Sequence, residues 1–252
     1  MDHYIKTKQA RDAEKMLEAT RASTTRIGLV TGAPGTGKTE LSKHLATLPG
    51  VLRVCCFAGM ARPDLMGLIA DALGLERQGA YGTVLMGCRL EIARRVETTT
   101  PDERPVLIFD EANHLTWKLL ETLRIFSDED GAALVLIGTD ILTQTLHDAR
   151  TMTYLAQLRR RIGAKQVRMT NFTGPQGLTA STGYQLKPEF GEVPKAIAQR
   201  WQKITGGNWG LAAELADACR RVMAAAELAT LTDAVLNAAQ HDMAGMSGEE
   251  AA

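Results

Sequence analysis

The feature that most constrains this chain is a glycine-rich stretch of eight residues, Gly-Ala-Pro-Gly-Thr-Gly-Lys-Thr, running from Gly32 to Thr39. It matches the pattern G-x-x-x-x-G-K-[ST] and lies between a short apolar segment, Ile27 to Thr31, and a helical segment, Glu40 to Leu48. Glycines allow such a backbone to approach phosphate oxygens closely, and the loop N–H groups and the helix N-terminus supply positive potential there. The sequence therefore predicts a phosphate-binding loop.

Two residues of this loop carry distinct chemistry. Lys38 is expected to reach the β- and γ-phosphates of ATP, and the Thr39 hydroxyl is expected to ligate Mg²⁺. The predicted nucleotide-binding residues of the loop are Gly32, Ala33, Pro34, Gly35, Thr36, Gly37, Lys38 and Thr39.

A second motif consists of four apolar residues, Val106 to Phe109, followed by Asp110 and Glu111. An apolar run of this kind is typical of a strand buried on both faces, whose carboxyl end lies at the edge of the sheet where the phosphate loop opens. Asp110 is then placed to bind the nucleotide and to hold Mg²⁺, directly or through water. Glu111 is placed to polarise the attacking water. Together the two motifs predict hydrolysis of ATP to ADP and phosphate.

Predicted strands alternate with predicted helices as far as Thr170, which indicates an α/β fold with a parallel sheet flanked by helices. Beyond Thr170 the composition favours a connector and then three helical stretches without strands. The predicted organisation is an N-terminal helical extension (1–24), an α/β core (25–170), a connector (171–190), an all-helical domain (191–243) and a flexible tail (244–252).

Composition limits the possible partners and compartments. The formal net charge of the 252 residues is zero, so DNA binding would require a local basic patch or one assembled by oligomerisation. The four cysteines lack metal-ligand spacing and are expected to be reduced thiols. No apolar run reaches membrane-spanning length and no export segment is evident, which predicts a cytoplasmic protein without membrane partners.

Four motifs in order give the chain a resemblance to the AAA+ ATPases, and within them to the phage Mu transposition protein B family of transposon target-selection ATPases. The motifs are G-A-P-G-T-G-K-T, F-D-E-A-N-H-L from Phe109, L-V-L-I-G-T from Leu134 and Q-L-R-R-R-I from Gln157. The resemblance covers about residues 25–170 and is weaker over the helical stretch 190–243. It implies a P-loop AAA+ sheet with a small C-terminal helical lid. The same branch holds secretion-associated ATPases of the ExeA type.

The resemblance also assigns roles by position. Thr139 corresponds to the sensor that contacts the γ-phosphate or the lytic water. An arginine in the Arg159–Arg161 turn corresponds to a finger that completes the neighbouring subunit's site, which suits phosphoryl transfer because the transition state gains from added positive charge. Arg161 is preferred because it directly precedes an apolar residue, and Arg159 is the other candidate. A solvated or DNA-facing basic turn remains the alternative.

Two departures from the family pattern qualify these expectations. Gly210 stands where the lid usually carries an arginine as a second sensor, so turnover is expected to be slow. Only about two dozen residues precede the core here, so the helix-turn-helix region that precedes the family's ATPase core is expected to be missing.

The resemblance implies an ATP-dependent oligomer, assembled as a helical filament on double-stranded DNA without sequence specificity, and a transposase as protein partner, all in the cytoplasm of a bacterial host. Candidate DNA contacts are Arg62, Arg89, Arg94 and Arg95, although each arginine taken alone is more often a solvated surface residue. Two other functions remain open. One is an ExeA-type ATPase acting in protein assembly or secretion without DNA, and the other is a nucleotide switch that hydrolyses weakly.

Overall fold

The computed structural model describes residues 6–248. Contacts within the chain divide it into two units. The first comprises the residues up to Ala33 together with Lys38–Met169, and the second comprises Pro34–Gly37 together with the chain from Thr170 onward. The tip of the phosphate loop thus belongs to the second unit, and the lysine that follows it belongs to the first.

The first unit contains a five-stranded sheet in the order β2-β3-β4-β1-β5, and every pairing is parallel. The strands are β1 (Ile27–Gly32), β2 (Val51–Cys55), β3 (Val106–Asp110), β4 (Ala133–Gly138) and β5 (Gln166–Met169). The three central strands are buried along their whole length, as apolar runs between two layers of helices should be. The predicted α/β class with a parallel sheet is confirmed.

Helices cover both faces of this sheet. They are α1 (Lys8–Ala22), α2 (Lys38–Leu45), α3 (Arg62–Leu73), α4 (Tyr81–Thr98), α5 (Trp117–Asp128), α6 (Asp140–His147) and α7 (Ala156–Ile162). The apolar faces of α1 and α2 pack against Val30 and Ile108 on one side of the sheet. Alternate strand residues such as Leu29 and Phe109 face the other side and pack with α3 to α7.

The second unit is all-helical among the residues described. Its helices are α8 (Gly174–Ser181), α9 (Lys187–Phe190), α10 (Lys195–Thr205), α11 (Trp209–Ala225) and α12 (Asp233–Gly248), with a π-helical turn at Thr182–Leu186. They surround the fully buried Trp201, whose indole N–H donates to Gln185 Oε1 at 3.2 Å. Asn208 caps α11 by accepting from the Leu211 N–H.

Two sequence-based boundaries differ from the structure. The predicted connector 171–190 is largely helical. Its prolines do not prevent this, because they lie in the first turns of α8 and α9, where no intrahelical N–H is required. The last helix continues through Gly248, so the segment predicted as a tail begins inside it, and residues 249–252 lie outside the described part of the chain. No helix among the described residues is long and apolar enough to span a bilayer.

Candidate nucleotide site

The phosphate loop links the buried strand β1 to helix α2. Gly35 and Gly37 adopt φ values of 73° and 88°, a region that side chains avoid, so the loop requires glycine at both positions. Lys38 starts α2 and is 6% exposed. Its Nζ donates to the carbonyl oxygens of Gly32 and Ala33 at 2.9 and 2.8 Å. This ammonium therefore donates to neutral carbonyls.

Burial lowers the pKa of Lys38, and the nearby carboxylates of Glu111, Asp110 and Asp140 oppose that shift. These electrostatic interactions indicate that the loop lysine and the acids after β3 and β4 share one environment. The predicted grouping of Lys38 with Asp110 and Glu111 is thus found at the carboxyl edge of the sheet, in the first unit.

Asp110 is 1% exposed, and both of its carboxylate oxygens are engaged. Oδ2 accepts from Ser42 Oγ on α2 and from the Arg53 guanidinium on β2, each at 2.6 Å. Oδ1 accepts from the backbone N–H of Glu111 at 3.0 Å. The Arg53 Nε also donates to Ser42 Oγ at 2.9 Å, which closes a three-membered network around the carboxylate.

Arg53 and Ser42 were not among the residues predicted from sequence. The available signal was a charged residue inside the otherwise apolar strand Val-Leu-Arg-Val-Cys. The pairing of β2 with β3 sets Cys55 beside Asp110, and Arg53, two residues earlier on the same strand, reaches the Asp110 carboxylate. A guanidinium thus occupies Oδ2 of Asp110, one of the two carboxylate oxygens that could ligate a divalent cation.

Glu111 is one of two non-glycine residues with positive φ among those described, at φ 54° and ψ 37°. This left-handed conformation costs a residue with a Cβ about 1 kcal/mol or more, and such strain is concentrated at functional positions. Here it turns the chain from the end of β3 into a short 3₁₀ turn, Ala112–His114, and leaves the Glu111 side chain half-buried.

Thr139 follows β4 and precedes α6. Its hydroxyl oxygen is buried and has no hydrogen-bond partner within residues 6–248. Its backbone N–H donates to Asn113 Oδ1 at 2.9 Å, so the turn after β3 fixes the backbone of Thr139. Asn113 was quoted within a motif but was not predicted as a site residue. A buried unpaired hydroxyl is unfavourable, and a ligand oxygen or a water at this edge would satisfy it.

The chemistry of these groups fits a nucleotide with its metal. Thr39 presents an exposed hydroxyl, Asp110 a carboxylate and Lys38 an ammonium, and hydroxyl and carboxylate oxygens suit Mg²⁺. Because Asp110 Oδ2 is already paired with Arg53, direct metal ligation at that oxygen requires Arg53 to move.

The three arginines Arg159, Arg160 and Arg161 lie on α7 and differ in their hydrogen-bond and ion-pair partners. Arg161, the preferred finger, pairs with Asp128 and donates to Gln157. Arg159 donates to the carbonyl of Met152 at 3.3 Å, and its Nε is buried without a partner within residues 6–248. Arg160 is exposed and has no ion pair among the residues described.

Three of the four candidate DNA contacts are held in ion pairs. Arg89 binds Glu129 and Asp130 across to the end of α5, while Arg94 and Arg95 share Glu91. The hydrogen bonds from those two arginines lower the pKa of Glu91 to about 2. Arg62, exposed at the start of α3, has no ion pair within the described part of the chain.

The loop tip and the start of α11 pack together within the second unit. The backbone N–H groups of Trp209 and Gly210 donate to the Gly35 carbonyl at 2.8 and 3.1 Å, and Asn208 Nδ2 donates to the Pro34 carbonyl at 2.9 Å. A Cβ at Gly210 would lie 3.3 Å from the Gly35 Cα. This close approach gives a physical reason for glycine where the family pattern has an arginine.

Comparison with known proteins gives the family. A family profile described as an AAA domain matches residues 20–146, just over half of the chain. The Mu-like prophage FluMu DNA transposition protein B of Haemophilus influenzae is 27% identical over 214 residues, covering 81% of this chain and 68% of that protein.

Solved structures show the same fold. The Walker-type ATPase PABY2304 of Pyrococcus abyssi superposes with a TM-score of 0.65 at 15% identity, covering 98% of this chain and 73% of its own. The RuvB Holliday junction branch migration motor of Thermotoga maritima gives 0.53 at 17% identity, with 96% and 70% coverage. With its phosphate loop, its parallel sheet and a profile match over half its length, the chain belongs to the AAA domain family of P-loop ATPases, within which it resembles Mu transposition protein B.

Proposed function

We propose that this protein hydrolyses ATP with Mg²⁺ and, in its ATP-bound form, assembles on duplex DNA to direct a transposase. The observation that carries the ATPase part is the grouping of Lys38, Asp110, Glu111 and the unpaired Thr139 hydroxyl at one edge of the sheet. The DNA and transposase parts rest on the similarity to a protein named for DNA transposition.

In the proposed mechanism each group has one role. Lys38 leaves the Gly32 and Ala33 carbonyls and donates to phosphate oxygens, whose negative charge would offset the burial that lowers the pKa of this ammonium. Mg²⁺, when bound, neutralises phosphate charge, with Thr39 and Asp110 as its protein-derived oxygens. Glu111 accepts a hydrogen bond from the attacking water and orients it. The Thr139 hydroxyl, held by Asn113 through the backbone, donates to the γ-phosphate or to that water.

Arg159 is a better candidate than Arg161 for a finger acting on a neighbouring subunit. Arg161 already has a carboxylate partner in Asp128, and breaking that pair would cost free energy. Arg159 donates to a neutral carbonyl, that of Met152, a residue that is 45% exposed. Tyr154, two residues on and 56% exposed, adds apolar surface of the kind that subunit contacts bury.

The test combines nucleotide turnover with DNA binding. Phosphate release and the anisotropy of labelled duplex DNA are measured with ATP, ADP and no nucleotide, and the same samples are imaged by electron microscopy. We expect ATP-dependent, salt-sensitive DNA binding and oligomers on the duplex, both lost in Lys38→Ala. Turnover without DNA binding at any salt concentration would instead favour an ATPase acting in protein assembly or secretion.

Arg159→Ala and Arg161→Ala separate the finger candidates. The finger variant should keep its nucleotide affinity but lose about 10³-fold in turnover. Mixing it with Lys38→Ala, whose subunits still offer the finger, should restore some hydrolysis. A basic turn that only contacts DNA would leave DNA-independent turnover unchanged.

A further inference from the structure

A shallow pocket lies in the first unit, beyond the amino ends of the strands. It has a volume of about 360 Å³ and is lined by Thr24, Thr25, Arg26, Ser127, Asp128, Gln157, Arg160 and Arg161. Arg26 immediately precedes β1, whereas the phosphate loop follows β1 at its other end. A strand of six residues spans about 20 Å, so this pocket is separate from the chain's own nucleotide site.

The basic groups at this pocket exceed the acidic ones. Its lining carries three arginines and a single carboxylate, Asp128, which is taken up by Arg161 and by Arg124. Arg26 and Arg160 have no ion pair within residues 6–248. The hydroxyls of Thr24, Thr25 and Ser127 complete a lining suited to an anion with several acceptor oxygens.

A second unpaired arginine adjoins Arg26. The backbone of β4 bonds to Arg26 on one side and to Pro105 on the other, through Leu134 N–H and Ala133 N–H. Arg104 therefore lies close to Arg26, and its charge together with burial lowers the pKa of the Arg26 guanidinium. The Nε atoms of both arginines are buried and unpaired within the described residues.

Such an arrangement is unfavourable for an empty protein. Two like charges lie side by side, and two buried donors lack acceptors in the part of the chain that the structure describes. A phosphate group would correct both defects, because it brings negative charge and several acceptor oxygens. Nearby Lys165, which donates to Thr25 Oγ1 at 2.9 Å, adds a further positive charge.

We propose that Arg26 and Arg160, with Arg104 adjoining Arg26, form a phosphate-binding pocket at the amino edge of the sheet that receives the backbone of duplex DNA. This inference rests on the proposed function. The pocket is open and Arg160 is exposed, which suits a phosphodiester backbone lying across the surface. It also moves the expected DNA contact away from Arg89, Arg94 and Arg95, which are held in ion pairs with Asp130 and Glu91.

The test uses Arg26→Met and Arg160→Met, with Arg94→Met as a control that removes the same charge from an arginine paired with Glu91. Each pocket variant should weaken duplex binding about tenfold at 0.1 M salt and reduce the slope of log K against log salt by about 0.9, as expected for one lost phosphate contact. The control should change both much less. Nucleotide affinity, measured without DNA, should be the same in all three variants and the wild type.

A second readout separates a binding role from a structural one. Removing one of two adjacent like charges should leave the melting temperature of Arg26→Met, measured without DNA at low salt, equal to or above that of the wild type. A structural arginine would lower it. Sulfate is also added to Lys38→Ala, in which the phosphate loop is disabled. Its effect on the melting temperature tests whether the pocket binds a free phosphate-like anion. Sulfate protection that depends on Arg26, found together with a wild-type protein that binds no duplex in the presence of ATP, would overturn the DNA assignment.

The remaining outcomes are also decisive. If wild-type protein binds duplex DNA and both pocket variants bind it equally well, the pocket inference is wrong and the proposed function stands. If the wild type binds no duplex, the proposed function fails and this inference fails with it. If the variants lose DNA-independent turnover while keeping DNA affinity, the phosphate comes from a neighbouring subunit's nucleotide and the DNA assignment is overturned.

Discussion

Replacing Arg53 by methionine should make the ligand-free protein less stable and make it bind Mg²⁺-nucleotide more tightly. In the structure the Arg53 guanidinium occupies Asp110 Oδ2 at 2.6 Å, and the Asp110 side chain is 1% exposed. Methionine keeps most of the side-chain length and removes the charge. The carboxylate would retain its hydrogen bonds from Ser42 and from the Glu111 N–H, but would lose its counter-charge.

The magnitude follows from the burial of the pair. Breaking a fully buried ion pair costs about 3–5 kcal/mol, and partial exposure reduces such values. Arg53 is 26% exposed, so we expect a loss of about 2 kcal/mol in the ligand-free state. That corresponds to a fall of about 4–8 °C in melting temperature for a chain of this size.

The same free energy appears with opposite sign in ligand binding. In the wild type a metal that ligates Asp110 Oδ2 must displace Arg53, whereas in the variant no displacement is needed. If the bound states are equally stable, a difference of about 2 kcal/mol raises the affinity for Mg²⁺-nucleotide by about 30-fold. The concentration of Mg²⁺ required for nucleotide binding should fall accordingly.

A fluorescent, non-hydrolysable ATP analogue titrated at several Mg²⁺ concentrations measures this directly, and thermal unfolding in EDTA measures the ligand-free state. Arg77→Met is the matched control, because Arg77 pairs with Asp71 on the surface and both partners are about half exposed. Its effect on stability should stay within about 0.5 kcal/mol. Competition between Arg53 and the metal is refuted if Arg53→Met binds Mg²⁺-nucleotide more weakly than the wild type, or with unchanged affinity.

Three further variants test the site and the core. Glu111→Gln should bind nucleotide normally and lose phosphate release, because a neutral amide cannot polarise the attacking water as a carboxylate does. Normal turnover would show that Glu111 has no part in hydrolysis. Thr139→Val should be as stable as the wild type or up to about 1 kcal/mol more stable, because the buried hydroxyl it removes has no partner within residues 6–248. Its turnover should fall, and loss of stability would show that the hydroxyl has a structural role. A thiol reagent at pH 8 should modify the exposed Cys55 first, because burial raises the pKa of Cys56 to about 12; Cys55→Ser should abolish the fast phase.

The sheet could be predicted because its central strands are short apolar runs bounded by turns. Val106–Phe109 and Ala133–Ile137 are buried on both faces, and such strands leave a continuous hydrophobic signal in the sequence. The phosphate loop and the acids after β3 were predictable for a related reason. Their chemistry depends on residues close together in sequence, so the spacing of those residues in the motif is enough to predict their relative positions.

Arg53 could not be assigned from sequence because its role depends on pairing between distant segments. Its contact with Asp110 spans 57 residues and follows from the register of β2 on β3. Segment 171–190 was misread for a different reason. Its prolines and glycines are typical of connectors, and only packing of residues such as Leu186 against Trp201 and its neighbours makes the segment helical.

The residues assigned to function here share a physical property that separates them from residues that only support the fold. Thr139 has a buried hydroxyl without a partner among the residues described, Glu111 has a left-handed backbone, and Arg26 lies beside another arginine. Each of these lowers the stability of the empty protein, and each would be relieved or used when a ligand arrives. Arg53 is the opposite case, because it compensates Asp110 until a metal replaces it. Stability measurements without ligand should therefore separate residues that await a ligand from Arg53. Thr139→Val and Arg26→Met should keep or gain stability while losing function. Arg53→Met should lose stability and bind Mg²⁺-nucleotide more tightly. A loss of stability in all three would mean that these side chains serve the fold, and the reasoning from unsatisfied groups to ligand sites would fail for this protein.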